Sequence, residues 1–181
     1  YFNHKDRMPF INRTAFSMEE IMLKEILSKQ TCAECRLCCT FDKYDIWETP
    51  VVTKNLKEKI NNDYPDVKFI EKGESYLFRM ENPDENGIYY CPVLTDKGCA
   101  LGDEKPFDCK IWPYRIMNFE GVRVITLSPV CESVFSLPIK TIRETAEKLS
   151  SKIFSYADEN PDIVKPYDDS YPIILSERNN K

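Results

Sequence analysis

The chain has 181 residues, of which 42% are hydrophobic and 30% are charged, with eight cysteines and five glycines. This length and composition predict one folded domain over residues 1–181 and exclude a disordered chain. The formal net charge of −5, with acidic and basic residues interspersed, argues against a nucleic-acid partner. The apolar runs are far shorter than the roughly 20 residues of a membrane-spanning helix. The N-terminal segment also lacks the apolar stretch of a secretory signal, so we expect a cytoplasmic protein without a membrane partner.

The N-terminal part predicts an extended arm and one helix. Residues 1–16 mix aromatic, basic and turn-forming types without periodicity. Ser17 and Glu20 then form a capping-box pattern, and apolar residues at helical spacing predict a helix from about Met18 to Lys29. This helix would lead directly into a cysteine-rich loop at Thr31–Thr40.

The middle of the chain predicts a short helix and small hairpins. Thr53 is a candidate N-cap for a helix over Lys54–Asn61. Turn-forming residues at 82–87 then predict a hairpin that leads to Cys91. The strands expected in this region are Val67–Ile70, Tyr76–Met80 and Ile88–Tyr90.

The C-terminal half predicts the longest hairpin and the longest helix. The strands Tyr114–Phe119 and Val122–Leu127 flank a turn that contains glycine. After Pro138, apolar residues at helical spacing predict a helix of about 138–159. A last strand is expected at Pro172–Leu175. The fold class is therefore α+β, with small antiparallel hairpins and two principal helices around a core of cysteine-ligated metal.

The eight cysteines carry the chemistry that the sequence suggests. Four of them fall in one run, Cys32-Ala33-Glu34-Cys35-Arg36-Leu37-Cys38-Cys39. Disulfides usually tie distant segments of small secreted domains together, so this dense run favours metal ligation. Three thiols at two-residue intervals suit zinc or an iron–sulfur cluster. The adjacent fourth cysteine departs from the ferredoxin run, and the order C-x2-C-x3-C through Cys39 is the reverse of the radical S-adenosylmethionine pattern.

The other four cysteines lie in short motifs, each of which contains proline or glycine. The motifs are Cys91-Pro92-Val93-Leu94, Gly98-Cys99, Lys105-Pro106-Phe107-Asp108-Cys109 and Pro129-Val130-Cys131. Together with the first run, from about residue 31 to 132, they resemble the CxxCxxCC (YkgJ-like) cysteine-cluster family of zinc- or iron-chelating domains. The resemblance implies eight metal ligands: Cys32, Cys35, Cys38, Cys39, Cys91, Cys99, Cys109 and Cys131. The chain keeps the cysteines and prolines of the family pattern but departs from it at Leu101, Lys105, Lys110 and Trp112.

The ligand set leaves the metal open between iron and zinc. Soft thiolates accept both, and the only histidine, His4, is remote in sequence from the cysteines. Eight thiolates suffice for two four-ligand sites, or for one site with spare redox thiols. We rank one [4Fe-4S] cluster first, two clusters second and structural zinc third. All of the cysteines are expected on loops between elements, where ligands can converge.

Three functions follow from these alternatives. The first is an iron–sulfur protein with a redox, electron-transfer or structural role and an unidentified redox or protein partner. The second is a structural zinc adaptor or metal chaperone. The third is an enzyme, because the resembling family includes members linked to protein lysine N-methylation. Neither of the glycine-rich phosphate-binding motifs occurs in the sequence.

Other conspicuous residues have ordinary structural interpretations. The basic side chains near the cysteines are expected to be solvated surface residues: Arg36, Lys97, Lys105, Lys110 and Arg115. The aromatic segment Trp112–Tyr114 is expected in the core rather than over a cluster. His4, in the N-terminal arm, has no assigned role.

Overall fold

The computed structural model describes residues 26–41 and 48–180. These residues have the mixed α+β architecture that the sequence predicts, with five α-helices and four sheets. The predicted N-terminal arm with His4, and the first two thirds of the predicted helix Met18–Lys29, lie outside them. No helix in the described ranges combines the length and apolar character that crossing a membrane requires.

The five helices differ greatly in length. They are α1 (Lys29–Cys35), α2 (Lys54–Asp63), α3 (Phe107–Ile111), α4 (Glu132–Phe135) and α5 (Ile139–Glu159). The predictions of α2 and α5 are confirmed, and α2 begins behind the predicted cap, because the Thr53 side chain accepts a hydrogen bond from the backbone N–H of Leu56. The long helix α5 is amphipathic, as its apolar spacing requires.

Helix α1 corrects two predictions at the first cysteine run. The segment predicted as a loop, Thr31–Thr40, is helical as far as Cys35. Ser28 lies outside the helix and accepts a hydrogen bond from the backbone N–H of Thr31 at 2.9 Å, so it is the N-cap. The predicted helix therefore does not continue to Lys29, because a new helix begins at that residue.

The strands form one larger sheet and three small ones. Their bounds are β1 (Thr40–Phe41), β2 (Val51–Val52), β3 (Phe69–Lys72), β4 (Ser75–Phe78), β5 (Tyr89–Tyr90), β6 (Leu94–Thr95), β7 (Gly98–Cys99), β8 (Tyr114–Phe119), β9 (Val122–Leu127), β10 (Lys165–Pro166) and β11 (Ile173–Ser176). The sheet orders are β10-β8-β9-β11, β2-β4-β3, β1-β5 and β6-β7. All pairs are antiparallel except β10 with β8, which is parallel and departs from the purely antiparallel prediction.

The hairpin β8–β9 is confirmed with the predicted bounds. Its turn residues Glu120 and Gly121 both have positive φ, at 51° and 80°, which suits the right-handed twist of a two-residue hairpin. The predicted hairpin before Cys91 is wrong in its pairing, because β5 pairs with the distant strand β1 rather than with a neighbour in sequence. The remaining predicted strands are present as β3, β4 and β11 with shifted ends.

The main hydrophobic core lies between α5 and the larger sheet. From the helix it takes Ile142, Ala146, Leu149 and Ile153, all at most 4% exposed. From the hairpin it takes Ile116, Ile125 and Leu127. A second, smaller core consists of Val52, Ile60, Phe78 and Val93, and the half-buried Cys91 and Cys99 pack against it. The main core also includes Phe107 and Ile111, on either side of Cys109, and Cys32 and Cys131 pack against it. The cysteine segments therefore lie at the edges of both cores.

Candidate metal centre

Helix α1 and the turn after it present the first four cysteines. Cys32 and Cys35 lie on α1, three residues apart and therefore on one side of the helix. Arg36 then adopts a left-handed conformation with φ 57°, which ends the helix and starts a 3₁₀ turn over Leu37–Cys39. The backbone N–H of Cys39 donates to the Arg36 carbonyl at 2.8 Å. This tight reversal folds the second pair of cysteines back beside the first.

Short strands bring the next two cysteines to this turn. The backbone N–H of Cys91 donates to the Cys39 carbonyl at 2.9 Å, next to the β1–β5 pairing. Cys99 lies opposite Leu94 in the small hairpin β6–β7. Two segments far apart in sequence therefore meet through a few backbone hydrogen bonds.

Gly98 lets the β6–β7 hairpin approach helix α1. Its φ is +99°, a conformation that side chains disfavour, and a Cβ built there would lie 3.1 Å from the Ala33 Cβ. The Arg36 guanidinium fastens the same contact by donating to the carbonyls of Ala33 and Asp96. The glycine of the Gly98–Cys99 motif is therefore explained by this close approach.

Helices α3 and α4 supply the last two cysteines. The backbone N–H of Cys109 donates to the Pro106 carbonyl at 3.0 Å in the first turn of α3. The carbonyl of Cys131, the residue before α4, accepts from the N–H of Val134 at 3.0 Å. The prediction that all cysteines lie on loops is thus wrong for Cys32, Cys35, Cys99 and Cys109. Short helices and strands position these thiols instead.

Buried polar and aromatic contacts hold α3 in place. Asp108 is 5% exposed, and its Oδ2 accepts a hydrogen bond from the backbone N–H of Val51 at 2.9 Å. The ring of Phe107 stacks on Tyr156 of α5, with the ring centroids 3.8 Å apart. These neighbours of Cys109 connect the cysteine segments to the small sheet and to the main core.

The thiols line two adjacent cavities of very different size. The larger has a volume of about 230 Å³, and the cysteines in its wall are Cys32, Cys38, Cys39, Cys91, Cys99 and Cys109. The smaller has a volume of about 20 Å³, and its cysteines are Cys32, Cys35, Cys38 and Cys131. The structure therefore brings all eight sequence-predicted ligands into one region.

Burial and mutual proximity shift the thiols toward their protonated forms. Burial raises the pKa of Cys91 to about 12 and raises that of Cys109 well above its ordinary value, with neighbouring thiols adding to both effects. Burial also raises the pKa of Cys32, followed by its neighbour Cys38. A hydrogen bond with Cys39 contributes most to the raised pKa of Cys38. A cation that binds here must displace these protons.

Basic and aromatic side chains share the wall of the larger cavity. The prediction of a solvated surface is wrong for Arg115, which is 5% exposed and donates to the Glu48 carboxylate at 3.1 Å. Four of the five basic residues line this cavity: Arg36, Lys97, Lys105 and Arg115. Trp112 lines both cavities, whereas Tyr114 is buried in the core as predicted. Sequence reasoning missed the position of Trp112, because its spacing from the cysteines does not reveal which way it faces.

The cysteines suit a metal by their chemistry and because they lie in one region of the structure. Across residues 26–41 and 48–180, no group of three or more His, Cys, Asp or Glu side chains is arranged to hold a metal ion. All eight cysteines are free thiols that share no disulfide. A donor set of thiols alone is what zinc and iron–sulfur sites use, so it fits either group. The metal core of the predicted fold therefore stays a prediction.

No protein-family model, no curated protein and no solved structure matches this chain. The resemblance to the CxxCxxCC family thus stays a prediction from the cysteine motifs. The two thiol-lined cavities are therefore the features of the structure that bear on its function.

Proposed function

We propose that this chain is an iron–sulfur protein in which cysteines hold a [4Fe-4S] cluster with a redox, electron-transfer or structural role. The cluster would occupy the larger cavity. Cytoplasmic location and an unidentified redox or protein partner belong to the same proposal. Cysteine thiolates are the usual ligands of such clusters, and a bound cluster supplies a site that gains and loses one electron.

The volume of the larger cavity is the observation that carries this proposal. A structural zinc site closes four thiolates around one ion at about 2.3 Å, so it needs no room beyond the ion. The larger cavity measures about 230 Å³. A void of about 10–15 Å³ on the same measure holds one water molecule, so this space suits a cofactor of several atoms. A zinc adaptor or metal chaperone is the alternative function, but a single zinc ion would not need this much space.

The charges around the cavity also favour a cluster. A cubane with four thiolate ligands carries net negative charge, which costs free energy to bury without compensation. Lys105 lies close enough to lower the pKa values of Cys32 and Cys38, although burial and neighbouring thiols outweigh it. Arg36 and Lys97 line the same wall, which also carries three carboxylates, those of Glu48, Asp103 and Asp108. These cations would stabilise the bound cluster and raise its reduction potential.

Protein purified without oxygen is expected to be brown. Charge transfer from sulfur to iron should give a broad absorbance at about 400 nm. Each chain should contain about four iron atoms and about four sulfides. Elemental analysis and a sulfide assay of the full chain provide the test. Zinc without iron or sulfide in such preparations would exclude the cluster and favour the zinc adaptor.

A cluster with complete cysteine ligation should not bind added ligands. The cavity offers more thiols than one cubane needs, so a carrier or structural role is favoured over the lysine-methylating enzyme. S-adenosylmethionine or sodium cyanide should leave the paramagnetic signal of the reduced cluster unchanged, as should sodium chloride at equal ionic strength. A shift with S-adenosylmethionine or cyanide alone would reveal an exchangeable iron and favour the enzyme.

A further inference from the structure

We infer that the smaller cavity is a second metal site, which holds one zinc ion apart from the cluster. Its ligands are Cys32, Cys35, Cys38 and Cys131. The cluster would then be held by Cys39, Cys91, Cys99 and Cys109. The zinc site rests on the smaller cavity alone, whereas the assignment of the other four thiols rests on the proposed function.

The walls of the cavities divide the eight cysteines into two groups of four. Cys35 and Cys131 line only the smaller cavity, and Cys32 and Cys38 line both. The other four line only the larger cavity. If a metal in the smaller cavity binds all four cysteines of that cavity, the other four cysteines form a complete ligand set in the wall of the larger cavity. Any other division into two complete sets draws a thiol from outside the walls of one cavity.

The size of the smaller cavity matches one ion. Its volume is about 20 Å³, an order of magnitude below that of its neighbour. A void of about 10–15 Å³ on this measure holds a single water molecule, so there is room here for one small cation and none for a cubane. Four thiolates around one cation form the closed tetrahedral site that zinc favours.

The local backbone supports the same assignment. Cys32 and Cys35 have the C-x2-C spacing of structural zinc sites and lie on one side of α1. The left-handed Arg36 reverses the chain, so that Cys38 folds back toward that helix. Cys131 reaches the cavity from the start of α4, and the Trp112 side chain donates a hydrogen bond to its sulfur. An N–H donor to a ligating sulfur is a common feature of the surroundings of metal thiolates.

Ligation requires these thiols to move closer together than they stand here, since no three of them are arranged to hold an ion. Neutral thiols attract one another only weakly, so convergence gains free energy when a cation replaces their protons. Cys35 is exposed, which leaves it free to reorient. The zinc site thus demands adjustment of the exposed Cys35 and also of Cys32 and Cys131, which pack against the main core.

The test is the metal content of the full chain and of two pairs of variants, purified without oxygen from medium that contains both metals. Wild-type protein is expected to hold about one zinc and about four iron atoms per chain. C35S and C131S should lose zinc and keep iron, sulfide and the brown colour. C91S and C99S should lose iron and sulfide and keep zinc. Using two variants for each site guards against one that fails to fold.

The outcomes separate this inference from the proposed function. Iron without zinc in the wild type, or loss of both metals from C35S and C131S alike, overturns the zinc site and leaves the cluster. About eight iron atoms and no zinc would mean a second cluster and overturn the single ion. Zinc that C35S and C131S lose, in protein without iron, supports the zinc site and overturns the cluster. Protein without either metal overturns both.

Discussion

Removal of the proposed metals is expected to abolish hydrogen-exchange protection in the cysteine segments while the main core stays protected. Metal binding supplies about 10 kcal/mol or more of folding free energy in small zinc domains. Here the cysteine segments depend on strands of two residues, β1–β5 and β6–β7. Helix α5 instead buries a continuous apolar face against the larger sheet. The effect of the metals should therefore be local.

Peptides that cover residues 31–41 and 89–104 should exchange at least about a hundredfold faster in metal-free protein, a change that requires about 3 kcal/mol of local stability. Peptides from 114–127 and 139–159 serve as the internal control. Equal protection of the cysteine segments with and without metal would show that the metals do not contribute to the fold. Equal loss in all four peptides would show instead that the whole domain depends on them.

Truncation of Ile153 on α5 is expected to destabilise the protein strongly without altering its metals. The residue is fully buried in the main core, so Ile153→Ala should lower the free energy of unfolding by about 2–5 kcal/mol. Ile139, on the same helix, is 67% exposed, so Ile139→Ala should change it by less than about 0.5 kcal/mol. The measurement is denaturant unfolding monitored by circular dichroism.

The metal content of both isoleucine variants should equal that of the wild type, because neither residue lines a cavity. Similar unfolding free energies for the two variants would contradict the described packing of α5. Loss of iron or zinc from folded Ile153→Ala would show that the metal region depends on the main core more closely than its contacts indicate.

Local signals explain which parts of the fold were predictable. The β8–β9 hairpin has alternating apolar residues and a glycine turn, and α5 has a long apolar period after Pro138, so both are encoded within a few neighbouring residues. Helix α1 was missed because its sequence has little apolar periodicity, and because Ser28, its cap, was taken for part of the preceding helix. The pairing of β5 with β1 depends on distant residues, which no local pattern reveals.

The sequence predicted which cysteines belong to the candidate site but not how they are divided between the cavities. The cysteine motifs identified all eight cysteines that line the cavities. Their division between two cavities depends on the turn at Arg36 and on contacts among α1, α3 and the β6–β7 hairpin, so it could not be predicted from spacing. Arg115 was wrongly assigned to the surface because an isolated arginine carries no sequence signal of burial; here Glu48 pairs with it.

The backbone contact between Cys39 and Cys91 has a consequence for the order of biosynthesis. A ribosome adds about 5–20 residues per second, so the four-cysteine run of the nascent chain waits several seconds for its later partners, and longer for Cys131. During this interval the thiols have no ligand partners from the rest of the chain, and exposed thiols are open to oxidation. Loading of the proposed metals should therefore follow translation, under conditions that keep these thiols reduced. A metal inserted during translation would have only the thiols of the four-cysteine run as ligands.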